Sequence, residues 1–175
     1  MVRLTPLSGV VLLQPETAGD DRGSFTRLSC VSTLAANGIV FSPVQTSLSR
    51  SVRRGTLRGL HFQVAPSAET KVVHCVGGAV FDVALDLRPD SPTFRRAFGT
   101  ELSAANGVGM LVPAGCAHGL LTLTDDAAVL YQIDRDYDPQ RARGVRWNDP
   151  AFAIGWPFGP EVISDRDANW PDFGA

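Results

Sequence analysis

The sequence has few cysteines and no excess of one charge, and both absences exclude classes of protein. Its 175 residues include three cysteines, Cys30, Cys75 and Cys116, which are widely spaced and form no CxxC pair. This odd number argues against a disulfide framework and against a zinc site, and it fits a reducing compartment. The 16 basic and 18 acidic residues give a net charge of −2, so no nucleic-acid or membrane partner is indicated.

Long apolar segments are also lacking. The apolar run near the N-terminus is too short to span a bilayer, and no convincing signal-peptide cleavage site follows it. We therefore expect a cytoplasmic protein. The chain is long enough for one sizeable core and too short for two comfortable domains, so residues 1–175 are expected to form a single domain.

Histidine is scarce too, since only His61, His74 and His118 occur. They lack the closely spaced pair that a histidine metal centre in a β-barrel requires, and Glu69 would have to complete the set with isolated histidines. No metal site is predicted.

Glycine and proline are frequent, with 17 and 12 residues, and they separate many short strand-like segments. One helix is predicted at residues 32–37, with Ser32 as its cap and Asn37 as its stop. Residues 80–88 alternate with period two and have one strongly apolar face. Strands are predicted at residues 10–13, 23–28, 80–88, 97–102, 107–112, 120–123 and 127–134. This pattern indicates an all-β sandwich or barrel.

The segment with the most chemistry is residues 58–63, RGLHFQ. His61 can take and give protons near neutral pH, and Arg58 offers a bidentate fork for phosphate or carboxylate. A structural histidine is the simpler interpretation, but the nearby glycines and the rigid strand favour a site. Arg58 and His61 would face opposite sides of a regular strand, so a bulge near Gly59 must realign them if both contact one ligand.

Three other groups have alternative interpretations. Cys116 and His118 share a strand face and could form a nucleophile–base pair, although a buried cysteine is often just a small apolar residue. Tyr131 could be a core ring or a proton donor. Lys71 could be a solvated edge residue or could stabilise an enolate.

Nine motifs, read together, resemble the dTDP-4-dehydrorhamnose 3,5-epimerase family of nucleotide-sugar enzymes. They occur in the order DDRGSF, GTLRGLHFQ, ETKVV, VFDVALDLRPDSPTF, VPAGCAHG, LYQIDRDYDP, RGVRWNDP, GWP and ISDRD, and they cover almost the whole chain. The resemblance implies a cupin-like jelly roll with short peripheral helices that works without metal or cofactor. It also implies a homodimer in which the subunits exchange an N-terminal segment.

The resemblance assigns roles to matching residues. His61 is the base that removes the proton α to the C4 ketone of an NDP-4-keto-6-deoxyhexose, and Tyr131 is the acid on the opposite face. Asp167, with Asp165 as the fallback, would pair with His61, hold its tautomer and raise its basicity. Lys71 would lie near the enolate. Contacts with the substrate are implied for Arg22, Phe25, Gln45, Ser47, Arg58, His118, Tyr137 and Arg166, with Arg58 near the diphosphate.

Three positions depart from the family pattern. Arg27 and Ala142 stand where a glutamate is common, and Ser47 stands where an asparagine is usual. Because the acid–base set is intact, we expect retained chemistry on an altered ligand: a different base, a modified sugar, or epimerisation at C3 alone. The predicted activity is epimerisation at C3, or at C3 and C5. The alternatives are a 3,4-ketoisomerase and a non-catalytic nucleotide-sugar-binding cupin.

Overall fold

The computed structural model describes residues 1–174, which form many short strands and two short helices. The strands are β1 (Val2–Leu4), β2 (Val11–Leu13), β3 (Thr17–Asp20), β4 (Gly23–Thr26), β5 (Gln45–Ser51), β6 (Thr56–Gln63), β7 (Lys71–Gly77), β8 (Ala79–Asp86), β9 (Ala97–Ser103), β10 (Gly109–Val112), β11 (Cys116–Thr122), β12 (Ala127–Ile133), β13 (Ala142–Gly144) and β14 (Val162–Ile163). The helices are α1 (Val31–Ala36) and α2 (Asp165–Ala168). Within residues 1–174, no helix is long and apolar enough to cross a membrane.

The strands form two large sheets and one separate hairpin. The first sheet has the order β1-β2-β10-β7-β12-β5, and the second has the order β13-β6-β11-β8-β9, with β14 parallel to β6. The hairpin consists of β3 and β4. From β5 to β8 the chain changes sheet at every connection, and it does so again between β9 and β12, as in a jelly roll. The predicted all-β, cupin-like jelly roll is confirmed.

An apolar core joins the inner faces of the two sheets. Val73 and Val129 from the first sheet pack in one cluster with Ala84 and Leu120 from the second, and all four are almost fully buried. Burial of this kind supplies about 25 cal/mol per Å² of apolar surface. The core therefore holds the inner faces rigidly, and these faces also bear the polar residues of the site.

Both sheets are covered on their outer faces as well. Leu34 of α1 packs with Val72 on the first sheet, and residues 145–156 pack on the second. The strongly apolar face of β8 lies under this second cover, whereas Asp82 and Asp86 are on the inner face of the same strand. The alternation is as predicted, but the more apolar face is not the one that faces the other sheet.

Most of the predicted boundaries differ from those of the structure by one or two residues, and the start of α1 and the start of β11 have identifiable causes. Helix α1 begins at Val31 with Cys30 as the N-cap residue and no side-chain cap, so the prediction of Ser32 as the cap was wrong; Asn37 is the C-cap as predicted. Strand β11 begins at Cys116, four residues earlier than predicted. Its first half contains histidine and glycine, which weaken a local strand pattern, but pairing with β6 and β8 on both sides overrides this preference.

His74 lies on the outer face of β7 and is 1% exposed. Within residues 1–174, neither of its ring nitrogens has a partner in hydrogen-bond geometry. Burial lowers the pKa of this imidazole to about 4, and the nearby backbone of Leu28 and the charge of Asp82 offset the shift only partly. The folded protein therefore holds His74 as the neutral base.

This burial predicts a loss of stability in mild acid. The unfolded imidazole takes up a proton near pH 6.5 and the folded one only near pH 4. Because the unfolded state binds this proton more tightly, the free energy of unfolding has its full value above pH 6.5 and decreases as the pH falls from 6.5 to 4. His74→Leu should remove this pH-dependent loss, which lowers the free energy of unfolding of the wild type by about 2 to 3 kcal/mol at pH 4.5. Chemical unfolding of both proteins at pH 7 and pH 4.5 measures it. If the free energy of unfolding falls equally between pH 7 and pH 4.5 in the wild type and the variant, the prediction is contradicted.

Candidate active site

A bulge in β6 places Arg58 and His61 on the same face of the sheet. Arg58 pairs with Leu120 and His61 pairs with His118, so three steps along β6 correspond to two along β11. The extra residue lies at Gly59, where φ is +124° and an added Cβ would be 2.5 Å from the Cα of Gly119. Only glycine fits this approach without displacing the neighbouring strand. The bulge therefore provides the realignment that Arg58 and His61 need to share one face of the sheet.

His61 is paired with Asp167, as the family resemblance implied. Nε2 of His61 lies 2.7 Å from Oδ1 of Asp167, and the backbone N–H of Gly59 donates to Oδ2 at 3.0 Å. The hydroxyl of Ser164 caps α2 by accepting from the N–H of Asp167 at 3.2 Å. Asp165, the fallback candidate, is exposed on the same helix. The cap and the bulge together hold one carboxylate behind one imidazole.

The charge on Asp167 fixes the roles of the two imidazole nitrogens of His61. Burial by itself raises the pKa of Asp167, but the hydrogen bonds from His61 and from the Gly59 amide outweigh it and leave the pKa below 3.8. An ionised carboxylate only accepts, so Nε2 of His61 donates to it. In the neutral imidazole, Nδ1 is then the free base.

The predicted residues on the wall of one cavity are His61, Lys71, Gln45, Ser47, Tyr137 and Arg166. The cavity has a volume of about 390 Å³, which is within the range of small-molecule sites. Nζ of Lys71 lies 2.9 Å from Oε1 of the buried Glu69 and 3.4 Å from the carbonyl oxygen of His61. A paired ammonium group in this position can stabilise negative charge on a ligand in the cavity.

Tyr131 and His118 lie next to each other on the inner faces of the sheets. Their ring centroids are 5.8 Å apart, with an interplanar angle of 81°. Tyr131 is paired with Ser47 across the sheet, and His118 is paired with His61. Burial, and secondarily the charge of Asp82, raise the pKa of Tyr131 above its ordinary value of 10. The phenol is therefore protonated at neutral pH, which is the form that a proton donor requires.

Arg58 and the N-terminal residues lie outside the cavity wall. The guanidinium of Arg58 donates to Oγ of Ser51 and to the carbonyl of Arg50, both at 3.1 Å. Arg22 and Phe25 are exposed on the β3–β4 hairpin, where Arg22 pairs with Asp20. The chain by itself therefore does not bring these last two predicted contacts to His61.

The interpretation of Cys116 as a nucleophile is wrong. The thiol is buried among apolar residues, and this burial raises its pKa to about 12. It is therefore protonated at neutral pH and acts as a small apolar side chain.

Several residues near the site were not predicted from the sequence. Asp82 is fully buried, with Oδ1 2.8 Å from Nε2 of His118. The ring of Trp170 lies 6.5 Å from that of His61, and the guanidinium of Arg166 stacks on it at 5.0 Å. Gln63 accepts from the N–H of Asp138 and donates to the carbonyl of Asp136, so it anchors the loop that bears Tyr137. Of these residues, only Asp82 stands out in the sequence, because it is a carboxylate among the apolar residues of a strand that is buried on both faces.

Comparison with known proteins identifies the family. The family model described as dTDP-4-dehydrorhamnose 3,5-epimerase matches residues 4–175. The chain belongs to this family. Its members are isomerases, so the predicted enzyme class is confirmed.

Individual relatives resemble the chain over nearly its whole length. It is 40% identical over 166 residues to a dTDP-4-dehydrorhamnose 3,5-epimerase of Sinorhizobium fredii, covering 94% of this chain and 85% of that protein. It is also 40% identical over 171 residues to a dTDP-4-dehydrorhamnose 3-epimerase of Streptomyces niveus, covering 96% and 82%. A crystal structure of the Bacillus anthracis dTDP-4-dehydrorhamnose 3,5-epimerase with TDP and PPi bound has a TM-score of 0.95 at 43% identity, covering 99% of both chains.

Two of the three positions that depart from the family pattern line the cavity. Ser47 is on β5 and Ala142 is on β13, and both contribute to its wall. Arg27 instead lines a separate cavity of about 480 Å³ between the hairpin and α1. Ser47 and Ala142 are therefore placed to contact a ligand beside His61, and Arg27 is not placed to do so within one chain.

No group of three or more histidine, cysteine, aspartate or glutamate residues with the geometry of a metal site occurs in residues 1–174. The carboxylates nearest the site residues are instead hydrogen-bonded to His61, His118 and Lys71.

Proposed function

We propose that this chain is a cofactor-independent epimerase that inverts C3, or C3 and C5, of an NDP-4-keto-6-deoxy sugar in deoxysugar or surface-polysaccharide biosynthesis. The observation that carries the proposal is His61, held by Asp167 at 2.7 Å on the wall of a cavity that also contains Lys71. The chain's family and the TDP bound to its Bacillus anthracis relative support a nucleoside diphosphate as part of the substrate.

The proposed reaction needs two proton transfers and one site for negative charge. Nδ1 of His61 takes the proton from the carbon beside the ketone, and the electrons of the C–H bond form an enolate. The Lys71 ammonium stabilises the enolate oxygen. The hydroxyl of Tyr131 then delivers a proton to the opposite face of that carbon. His61 releases its proton to solvent, and Tyr131 takes up a proton from solvent. The reaction transfers only protons, so the substrate is neither oxidised nor reduced.

The remaining predicted residues would bind the substrate. We assign Gln45, Ser47, His118, Tyr137 and Arg166 to contacts inside the jelly roll. Arg58 would interact with the diphosphate after exchanging its present partners, Ser51 and Arg50. Binding of these non-reacting parts of the substrate positions the sugar for proton transfer. At Ser47 and Ala142 the cavity has smaller side chains than the family pattern, which supports an altered nucleotide or sugar.

Solvent exchange tests the proposal. In D₂O, the protein should introduce deuterium at C3, or at C3 and C5, of at least one member of a panel of NDP-4-keto-6-deoxy sugars that varies the base and the sugar. NMR spectroscopy locates the deuterium and identifies the product. A 3-keto product would indicate a ketoisomerase instead. Binding of the whole panel without exchange would indicate a non-catalytic binding protein.

We further propose that the active form is a homodimer that exchanges the N-terminal segment. The hairpin that bears Arg22 and Phe25 forms no sheet with any other segment of residues 1–174, and Phe25 is 74% exposed. A side chain of this size gains about 2 kcal/mol or more when it is buried. A partner subunit would bury Phe25. Arg22, which does not reach the His61 cavity of its own chain, would contact the cavity of the partner.

Mixed dimers should reveal this exchange. Arg22→Ala and His61→Asn should each reduce activity when expressed alone. Co-expression should restore about a quarter of wild-type activity, because half of the dimers are mixed and each mixed dimer has one intact site. Size-exclusion chromatography and activity measurements check both points. If activity is not restored although mixed dimers form, Arg22 does not act on the partner's site.

A further inference from the structure

The inner faces of the sheets contain a second histidine–carboxylate pair, separate from His61 and Asp167. We propose that Asp82 is a positioning residue of the active site: it fixes the imidazole of His118, and through His118 it holds the ring of Tyr131 in place for proton delivery. This inference rests on the proposed epimerase function and assigns a role to a residue on β8, the strand next to β11.

The contacts of Asp82 lead only toward the site. Oδ1 lies 2.8 Å from Nε2 of His118, and Oδ2 is buried and has no hydrogen-bond partner among residues 1–174. The carboxylate accepts, so Nε2 of His118 donates, and this fixes the tautomer and the ring plane. The edge of this ring meets Tyr131 at a centroid distance of 5.8 Å. His118 has no side-chain hydrogen bond in residues 1–174 except the one to Asp82.

A purely structural role does not explain Asp82. Asp86 lies four residues further along the same face of β8 and is buried just as completely, but it accepts bonds from Arg88, Ser91 and Thr93. That network shows how this fold stabilises a buried carboxylate that has a structural role. Burying a carboxylate against one partner costs several kcal/mol, and apolar residues of similar volume often stabilise such a position better. The contact with His118 is what distinguishes the carboxylate of Asp82 from that of Asp86.

The line of contacts from Asp82 through His118 ends at the ring of Tyr131. The role of Asp82 therefore concerns the delivery of the proton by Tyr131 and not its removal by His61.

The test separates these two steps. In D₂O, proton removal followed by return on the same face puts deuterium into the recovered substrate, whereas delivery on the opposite face forms the epimer. Asp82→Asn should lower epimer formation about 10- to 100-fold, as loss of a carboxylate behind a functional histidine does, while deuterium continues to enter the substrate. Cys116→Ala is the matched control, because Cys116 is buried on the same face as His118, two residues away, and makes no hydrogen bond to it. This control should keep near wild-type epimer formation.

A double-mutant cycle tests whether Asp82 acts through His118. In a His118→Gln background, Asp82→Asn should change epimer formation by less than about twofold, because the contact it removes is already lost. Independent effects of the two substitutions would overturn the proposal. Equal losses of substrate exchange and epimer formation in Asp82→Asn would overturn it as well.

A proton NMR measurement gives a result that does not depend on activity. A downfield imidazole N–H signal that His118→Gln removes should also disappear in Asp82→Asn and should persist in Asp167→Asn. If Asp82→Asn does not fold, Asp82→Glu keeps the charge but shifts it by one methylene, and it should also lower epimer formation relative to exchange. Absence of exchange in the wild type would reject the proposed function, whereas an active wild type with an equally active, folded Asp82 variant would reject this inference alone.

Discussion

Replacing His61 by asparagine should lower the rate of deuterium incorporation at C3 by about 10²- to 10⁴-fold, the contribution expected of a general base. Asparagine has no group that can accept the proton from carbon at neutral pH. The change also removes the imidazole partner of Asp167, a residue that is 5% exposed. Initial rates of exchange in D₂O measure the effect, and thermal unfolding shows whether the fold is retained.

Two aspartates on α2 provide the matched comparison for this prediction. Asp167 contacts His61, whereas Asp165 is exposed on the same helical turn. Asp167→Asn should reduce the exchange rate, because an amide can donate to Nε2 and leave the wrong nitrogen as the base. Asp165→Asn should leave the rate within about twofold of the wild type, since solvated surface changes have small effects. Equal rates for the two variants would contradict the pairing of His61 with Asp167.

Replacing Asp86 by alanine should lower the free energy of unfolding by about 3 to 5 kcal/mol, the cost of breaking a buried ion pair by removing one partner. The carboxylate is fully buried and accepts bonds from Arg88, Ser91 and Thr93. Arg88 also donates to the carbonyl of Ser8. The variant therefore loosens the turn after β8 together with the turn before β2. Denaturant unfolding measures the loss.

The pH dependence of Asp86 gives a second measurement. Burial by itself raises its pKa, but the bonds from Arg88, Ser91 and Thr93 outweigh it and hold the pKa well below 3.8. The stabilisation is therefore complete above about pH 4 and decreases as the pH falls toward the folded-state pKa. Asp90 is exposed at the tip of the same turn, so Asp90→Asn is the control and should change stability by less than about 0.5 kcal/mol. Equal losses for both variants would contradict the role of Asp86.

The sequence was most informative about β6. The RGLHFQ segment indicated a strand and, if Arg58 and His61 were to contact one ligand, a bulge near Gly59, and the structure contains both. The bulge could be predicted because two residues of opposite strand parity were both needed on one face. Asp167 was expected only from the family resemblance. Local pattern cannot link it to His61, because the two are separated by 106 positions and meet only through α2.

The sequence by itself determined the strand-rich class, the chemical types in the site and, through its motifs, the family. These features depend on local sequence patterns: period-two alternation, frequent glycine and proline, and short motifs in a fixed order. The tertiary structure decided which face of β8 is turned inward, that Asp82 meets His118, and that the ring of Trp170 lies beside that of His61. Each of these contacts joins strands or segments far apart in the chain, and cross-strand register sets them. A one-residue change of register would turn every such side chain to the other face, so only the folded sheets determine them.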